Sequence, residues 1–326
     1  MKQIRNLLKV SLGIGVVSAL VAGWVGHAGA AESAKFPVKP VTVYNSSTAG
    51  SPADVMARQV AQSAKNFLGQ PMVVINKTGG SGGVMFAAMM ADPADGYTIS
   101  TVTSGLITAL HGELKKNFSI DQFEFIANVQ QEPFCFAVKS DSPLKTLKEM
   151  IEFAKKNPRL KIGGQGTLTA QHLMVLAMAD AADMPVSYVP FSGGAEVLTS
   201  LLGGHVPVVH TSPATADQYV EAGKMRILGV SGTKRLPQWP NVPTLRELGY
   251  DIVITQYRGF MARKGLPAEA KATLVNAIKK AVAEPGFKDY MAKNSQQDAF
   301  MGPEEFTKVV LADHDYMGKL MRKLVK

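Results

Sequence analysis

The strongest constraint on this chain is a device it repeats: an apolar run, a loop of small residues, then a helical pattern. Residues 41–45 read as a strand and 46–52 as a loop. A helix then begins near Ala53, with Val55, Met56, Val60 and Ala64 at helical spacing. A second strand over 71–75, a glycine-rich turn, a helix around 85–90 and a third strand over 97–102 follow. Parallel neighbours need a crossover connection, and the crossover helix covers the sheet face. This order therefore predicts an α/β layer with a largely parallel sheet.

The device returns further along. A strand over 134–138 follows an irregular stretch, and Thr146 caps a helix over 147–156. Strand 161–163 leads through Gly164-Gln165-Gly166-Thr167 into a helix over 170–182. Strand 186–189 leads through Phe191-Ser192-Gly193-Gly194 into a helix ending at Leu202. Further strands are expected over 206–210, 226–230 and 257–262, and helices over 268–283, 286–293 and 303–323. A chain of 326 residues has room for two such units. No Pro/Ser-rich linker separates them, so short hinge strands are expected instead.

The first 30 residues read as a leader. Lys2, Arg5 and Lys9 precede an apolar stretch over 10–25, and Ala28-Gly29-Ala30 supplies small residues for cleavage after Ala30. Gly13 and Gly15 interrupt that stretch, which is shorter than the ~20 residues of a spanning helix. Export to the periplasm is expected. No cysteine near the cleavage point offers a lipid anchor. The leader carries three basic and no acidic residues, so its removal lowers the net charge from +9 to +6. No dense Lys/Arg tract with interleaved aromatics suggests nucleic acid; a mild positive field suits an anionic solute better. Cys135 is the single cysteine, which excludes an intramolecular disulfide and a cysteine-based zinc site.

Small-residue loops before helices have a chemistry of their own. The first turn of a helix presents amides with no partner and a partial positive charge. A carboxylate is stabilised there without arginine, and in α/β sheets such loops lie at the carboxyl ends of strands, where ligands bind. Several loops from both units, facing each other, would clamp an anion. Thr48, Ala49, Gly50, Ser51 and Pro52 form the leading candidate: hydroxyls at Thr48 and Ser51, amides at Ala49 and Ser51, and a proline suited to a first helical position. Asp54 is expected to serve the helix start instead of the ligand.

Two sequence features bear on enzyme activity. Gly79-Gly80-Ser81-Gly82-Gly83 matches the G-x-S-x-G nucleophile elbow, with Asp183 and His205 or His210 as partners by chain order alone. That fold carries more sheet before its nucleophile than the two strands here. The histidines at 27, 111, 172, 205, 210 and 314 form no metal-ligand spacing, so no metal and no cofactor are expected.

The order and spacing of several short pieces resemble one family. They are Phe36-Pro37-Val38-Lys39-Pro40, the Gly50–Asp54 loop with Ala57-Arg58, Leu68-Gly69-Gln70-Pro71, Asn76–Gly83 and Ala94-Asp95-Gly96-Tyr97. Val189-Pro190-Phe191-Ser192-Gly193-Gly194, Leu201-Leu202-Gly203-Gly204, Ala222-Gly223-Lys224 and Val242-Pro243-Thr244 continue the series. The chain resembles the substrate-binding proteins of tripartite tricarboxylate transporters, the Bug or TctC-like receptors, over its whole length after the leader. The resemblance implies a type II periplasmic-binding fold with two lobes, 36–133 plus 258–326 and 134–257, joined by two crossing strands. It implies a small organic acid, a mono- or dicarboxylate, held by amides, hydroxyls and waters. It implies a monomer that delivers this acid to membrane permease subunits, or, on another reading, to a sensor; it implies no enzyme activity.

Carried over, the ligand contacts fall on Thr48, Ala49, Gly50, Ser51 and Pro52 in the first lobe and on Gly166, Thr167, Ser192, Gly193 and Gly194 in the second. Thr103 and Ser104, after the third strand, are further candidates, as are Tyr44, Gln165 and His210, the last at the end of an apolar strand. Tyr257 is expected as an aromatic wall and Arg258 as a possible carboxylate contact. The chain departs from the family's pattern at Ser51, often glycine, at His210-Thr211, often Phe-Asp, and at Tyr257-Arg258-Gly259, often Trp-Phe-Gly.

Overall fold

The computed structural model describes residues 35–324, apart from Leu168 and Ser295. The expected leader and its cleavage point lie outside the described residues. Strand β1 (Val41–Asn45) alternates buried and half-buried positions. Helix α1 (Pro52–Leu68) starts where the sequence places it: Ser51 is the N-cap and Pro52 the first helical residue. It stops at Gly69, whose φ of 70° is the left-handed conformation glycine adopts readily. Strand β2 (Met72–Asn76), helix α2 (Gly83–Ala91), strand β3 (Thr98–Thr103) and helix α3 (Ser104–Ala109) complete the first run.

The chain then forms β4 (Phe123–Pro133) and, after Phe134, β5 (Cys135–Lys139). Helix α4 (Leu147–Lys156) carries a full capping box, Thr146 with Glu149. Next come β6 (Leu160–Gln165), α5 (Ala170–Ala181), β7 (Val186–Phe191), α6 (Gly194–Leu202), β8 (Val208–Thr211), α7 (Pro213–Glu221) and β9 (Met225–Val230). The return strand β10 (Thr255–Arg263) precedes α8 (Ala268–Ala283), α9 (Pro285–Lys293), β11 (Gln297–Met301) and α10 (Pro303–Leu324).

These strands form two sheets, β11-β4-β10-β3-β1-β2 and β7-β6-β8-β5-β9. In each, three strands of the strand–helix repeat run parallel: β2-β1-β3 in one and β7-β6-β8 in the other. In each, the next strand is antiparallel and comes from beside a lobe crossing: β10 pairs β3, and β5 pairs β8. The sheets are therefore mixed, and the largely parallel expectation holds only for the repeat strands. Helices cover both faces of each sheet, giving two three-layer α/β lobes of the type II periplasmic-binding kind.

The two crossings are stitched by one residue. Ser231 is buried; its amide donates to Phe134 O at 2.9 Å, and its Oγ accepts from the Phe134 amide at 2.9 Å. The same Oγ donates to Ile254 O at 2.6 Å. One side chain thus holds the outgoing and returning strands together.

The last helix belongs to both lobes. Phe306 and Val310 pack with Phe125, Tyr257 and Met261 beside the first sheet, whereas Met317 and Leu320 pack with Leu173 and Met174 of the second. Near its end Lys323 Nζ lies 2.6 Å from Asp180 Oδ1 on α5. Among the described residues no helix is long and apolar enough to cross a membrane.

Candidate functional site

A cleft of about 900 Å³ opens between the lobes at the carboxyl ends of the repeat strands. Ser46, Ser47, Gly50, Ser51, Pro52 and Ala53 line it after β1, and Thr103 and Gly105 line it after β3. Across the cleft stand Gln165, Thr167, Thr169 and Ala170 after β6, and Ser212, Ala214 and Thr215 after β8. Four helix starts, α1 and α3 from one lobe and α5 and α7 from the other, therefore converge.

The first of these starts is braced from behind. Asp54 is 1% exposed and accepts from the Gly50 amide at 2.9 Å, from Arg58 Nε at 3.0 Å and from Asn76 Nδ2 at 2.8 Å. The Arg58 hydrogen bond, aided by those from Gly50 and Asn76, holds its carboxyl down at about 2 despite burial. Asp54 is thus a permanent anion serving the loop. The Gly50 amide is spent on it, and the Ser51 amide donates to Thr48 O at 3.2 Å. What this start offers a ligand is the Ser51 hydroxyl and the first-turn amide of Ala53, which has no acceptor within the helix. The α5 start is held differently. Thr169 Oγ1 accepts from the His172 amide at 3.2 Å and donates to Gln165 O at 2.8 Å, while the Gly166 amide (φ 67°) bonds Phe191 O at 2.9 Å.

The structure thus brings Gly50, Ser51, Pro52, Thr103, Gln165 and Thr167 to one wall-lined space. Thr48 and Ala49 are exposed in the same loop, outside the cleft lining. Ser104 is buried and acts at one remove, its Oγ donating to Gln256 Oε1 at 2.9 Å. Tyr44 is on β1 and outside the cleft lining, its hydroxyl donating to Asp92 Oδ2 at 3.0 Å. Ser192, Gly193 and Gly194 sit at the α6 start, where the Ser192 amide is taken by Glu196 Oε2 at 2.8 Å. A Cβ at Gly194 would meet the Thr215 side chain at 2.9 Å, so this glycine lets the α6 and α7 starts approach.

Two expectations are corrected. Tyr257 is no cleft wall: it is 2% exposed, edge-on to Phe306, with its hydroxyl donating to Asp313 Oδ2 at 3.2 Å. Burial pushes the Tyr257 phenol up, and pushes the Asp313 carboxyl up to about 7. On a strand, neighbours face opposite ways, so Gln256 and Arg258 take the cleft face and Tyr257 takes the core. His210 is wholly buried on the β8 face shared with Val208, with the Phe134 and Phe136 rings at 5.3 and 4.8 Å. Burial pushes its imidazole down to about 3, so it is a neutral core residue.

Sequence reasoning named Arg258 but missed the rest of the cleft floor, where Gln130 and Glu132 of β4 join Gln256 and Arg258 of β10, with Tyr290, Asn294 and Gln296 beside them. It also missed Ser212, Ala214 and Thr215. A signal for these existed: Ser212-Pro213-Ala214 repeats Ser51-Pro52-Ala53, an N-cap serine with proline at the first helical position after a strand. The charged side chains among the described lining residues are Glu113, Glu132 and Arg258. Arg258 Nη1 and Nη2 both donate to Glu132 Oε2 at 3.2 Å, so the cation is already paired. Ser81 of the elbow-like turn donates to Glu113, and His210, a partner by chain order, is in the core.

Residues 56–325 match the family described as tripartite tricarboxylate transporter family receptor, TctC. The chain belongs to this receptor family. A relative from Cupriavidus necator, the UPF0065 protein in the gbd 5′ region, is 37% identical over 296 residues, covering 90% of both chains. A ligand-free TctC solute-binding protein structure from Polaromonas superposes with a TM-score of 0.84 at 30% identity, covering 89% of this chain and all (100%) of that one. MatC from Rhodopseudomonas palustris, solved with malate, matches the fold with a TM-score of 0.68 at 23% identity, covering 87% of this chain and 99% of its own. This chain is a solute-binding receptor of the TctC kind and not an enzyme.

Proposed function

We propose that this receptor takes a small mono- or dicarboxylate in the interlobe cleft and hands it to the permease subunits of a tripartite tricarboxylate-type transporter. The observation that carries the reading is the convergence of helix starts from both lobes on one cleft with no unpaired cation among its described lining residues. Such a site holds an anion by amides, hydroxyls and helix dipoles. Because the donors come from two lobes, only a closed arrangement engages both sets, and the ligand selects it. The malate bound to MatC is of the same chemical class. The leader after which cleavage is expected, ending at Ala30, would place the receptor in the periplasm.

A thermal-shift screen checks the reading, because a ligand that binds only the folded state raises the melting temperature by mass action. Carboxylates are expected to raise it and neutral sugars to leave it unchanged. Ser51→Ala and Thr167→Ala should each weaken the shift. A rise with a neutral sugar and none with any carboxylate would overturn it.

A further inference from the structure

The floor of the cleft is built from two strands far apart in sequence. In the β4–β10 ladder Gln256 pairs with Glu132 and Arg258 with Gln130, so the four side chains form a quartet on one face at the hinge. Gln130 is 1% exposed, Glu132 4% and Arg258 9%. Their hydrogen bonds are unevenly filled. Gln130 Nε2 donates to the Tyr290 hydroxyl at 3.1 Å, while Gln130 Oε1 has no partner. Glu132 Oε2 takes both Arg258 nitrogens, while Glu132 Oε1 has no partner. Gln256 Oε1 is taken by Ser104.

Buried polar atoms are normally paired, and an unpaired acceptor is costly where water cannot reach it. Both unfilled atoms at the floor are acceptors, and one belongs to a carboxylate. A second carboxylate of the ligand placed here would bring only acceptors and meet the charge of Glu132, whose Arg258 is already engaged. A hydroxyl or an ammonium would bring the donor that is missing. Elsewhere in the lining, exposed Glu113, which accepts from Ser81, adds another negative side chain.

We propose that Gln130 and Glu132 are specificity-determining residues that receive a hydrogen-bond donor from the ligand, so that the solute is a small carboxylic acid bearing a hydroxyl or amino substituent. The carboxylate faces the helix starts and the donor faces the floor. This rests on the reading of the cleft as a carboxylate site.

Isothermal titration of the full receptor with matched series of short-chain acids tests it: unsubstituted, hydroxy-substituted and amino-substituted, each against its own parent. A substituted acid is expected to bind at least ~10-fold tighter than its parent, since a site built to bond a donor rejects the analogue lacking it. Gln130→Met, close in size and lacking the acceptor, should remove most of that preference. Glu132→Gln distinguishes the two donors: it should cost the amino series more than the hydroxy series if the donor is an ammonium, and both alike if it is a hydroxyl. Unchanged melting curves for the variants exclude misfolding. Equal affinity for parent and substituted acids in every series would overturn the floor assignment while leaving the carboxylate reading intact. Failure of every acid to bind, with the protein folded, would overturn both.

Discussion

The two lobes share a strand order and differ in how they hold the helix starts that face the cleft. In the first lobe the α1 loop is fixed by a buried anion, Asp54, which gathers Gly50, Arg58 and Asn76. In the second, α5 and α7 are held by hydroxyls: Thr169 at one start, and Ser212 with Thr215 at 3.0 Å at the other. One scheme costs a buried charge and yields a rigid loop; the other is lighter and leaves more freedom. The same topology can therefore supply one firm jaw and one adaptable jaw.

Acid should separate the jaws most sharply. His210 in the second lobe has its value lowered from 6.5 to about 3 by burial, and Asp54 in the first has its value lowered from 3.8 to about 2, mainly by Arg58. Both folded values are depressed. Each group therefore contributes stability that is full above its unfolded value and is lost as pH falls toward the folded one. His210 should lose its contribution from about pH 6.5 downward, and Asp54 only below about 4. His210→Phe should lessen the loss between pH 6 and 4, read by thermal melts across that range. A melt that falls with pH in the variant as steeply as in the natural protein would refute this origin.

The next effect is mutational. Asp54→Ala leaves the Gly50 amide without its acceptor, takes one of two acceptors from Asn76 Nδ2, and leaves Arg58 without its counter-ion. It should cost about 2–4 kcal/mol of stability in denaturant unfolding. It should also weaken carboxylate binding by freeing the loop. A loss below about 1 kcal/mol would show that the first jaw is no firmer than the second.

How much of this was written locally in the chain follows from the same contrast. The repeat strands, their loops and the caps of α1 and α4 are readable because each depends on residues within one turn of one another. Strand β4 escaped because Asn128, Gln130 and Glu132 are buried polar residues, so its apolar alternation is broken where it matters. The cleft floor escaped because it exists only once Glu132 meets Gln256, a pairing set by the lobe crossing and by no local pattern. Tyr257 and His210 show the opposite error: residue types suited to a cleft, on strand positions whose side chains point into the core. The α7 start was legible, in the second Ser-Pro-Ala, to a reading that compared helix starts with each other.

The smallest effect compares the caps themselves. In α5 the Thr169 hydroxyl both accepts from a first-turn amide at 3.2 Å and donates to Gln165 O at 2.8 Å, tying the helix to the end of β6. In α1 the Ser51 hydroxyl accepts from Asp54 at 3.4 Å, and the Asp54 carboxylate does the rest. Thr169→Ala should therefore cost about 1 kcal/mol, within the usual range for an N-cap, and Ser51→Ala less. If the adaptable jaw is the second, Thr169→Ala should also raise amide hydrogen exchange around Gln165–Thr169, whereas Ser51→Ala should leave exchange at Gly50 unchanged because Asp54 still holds it. Faster exchange at Gly50 in the Ser51 variant would mean that the cap and not the buried carboxylate fixes the first loop, and the distinction between the jaws would fall with it.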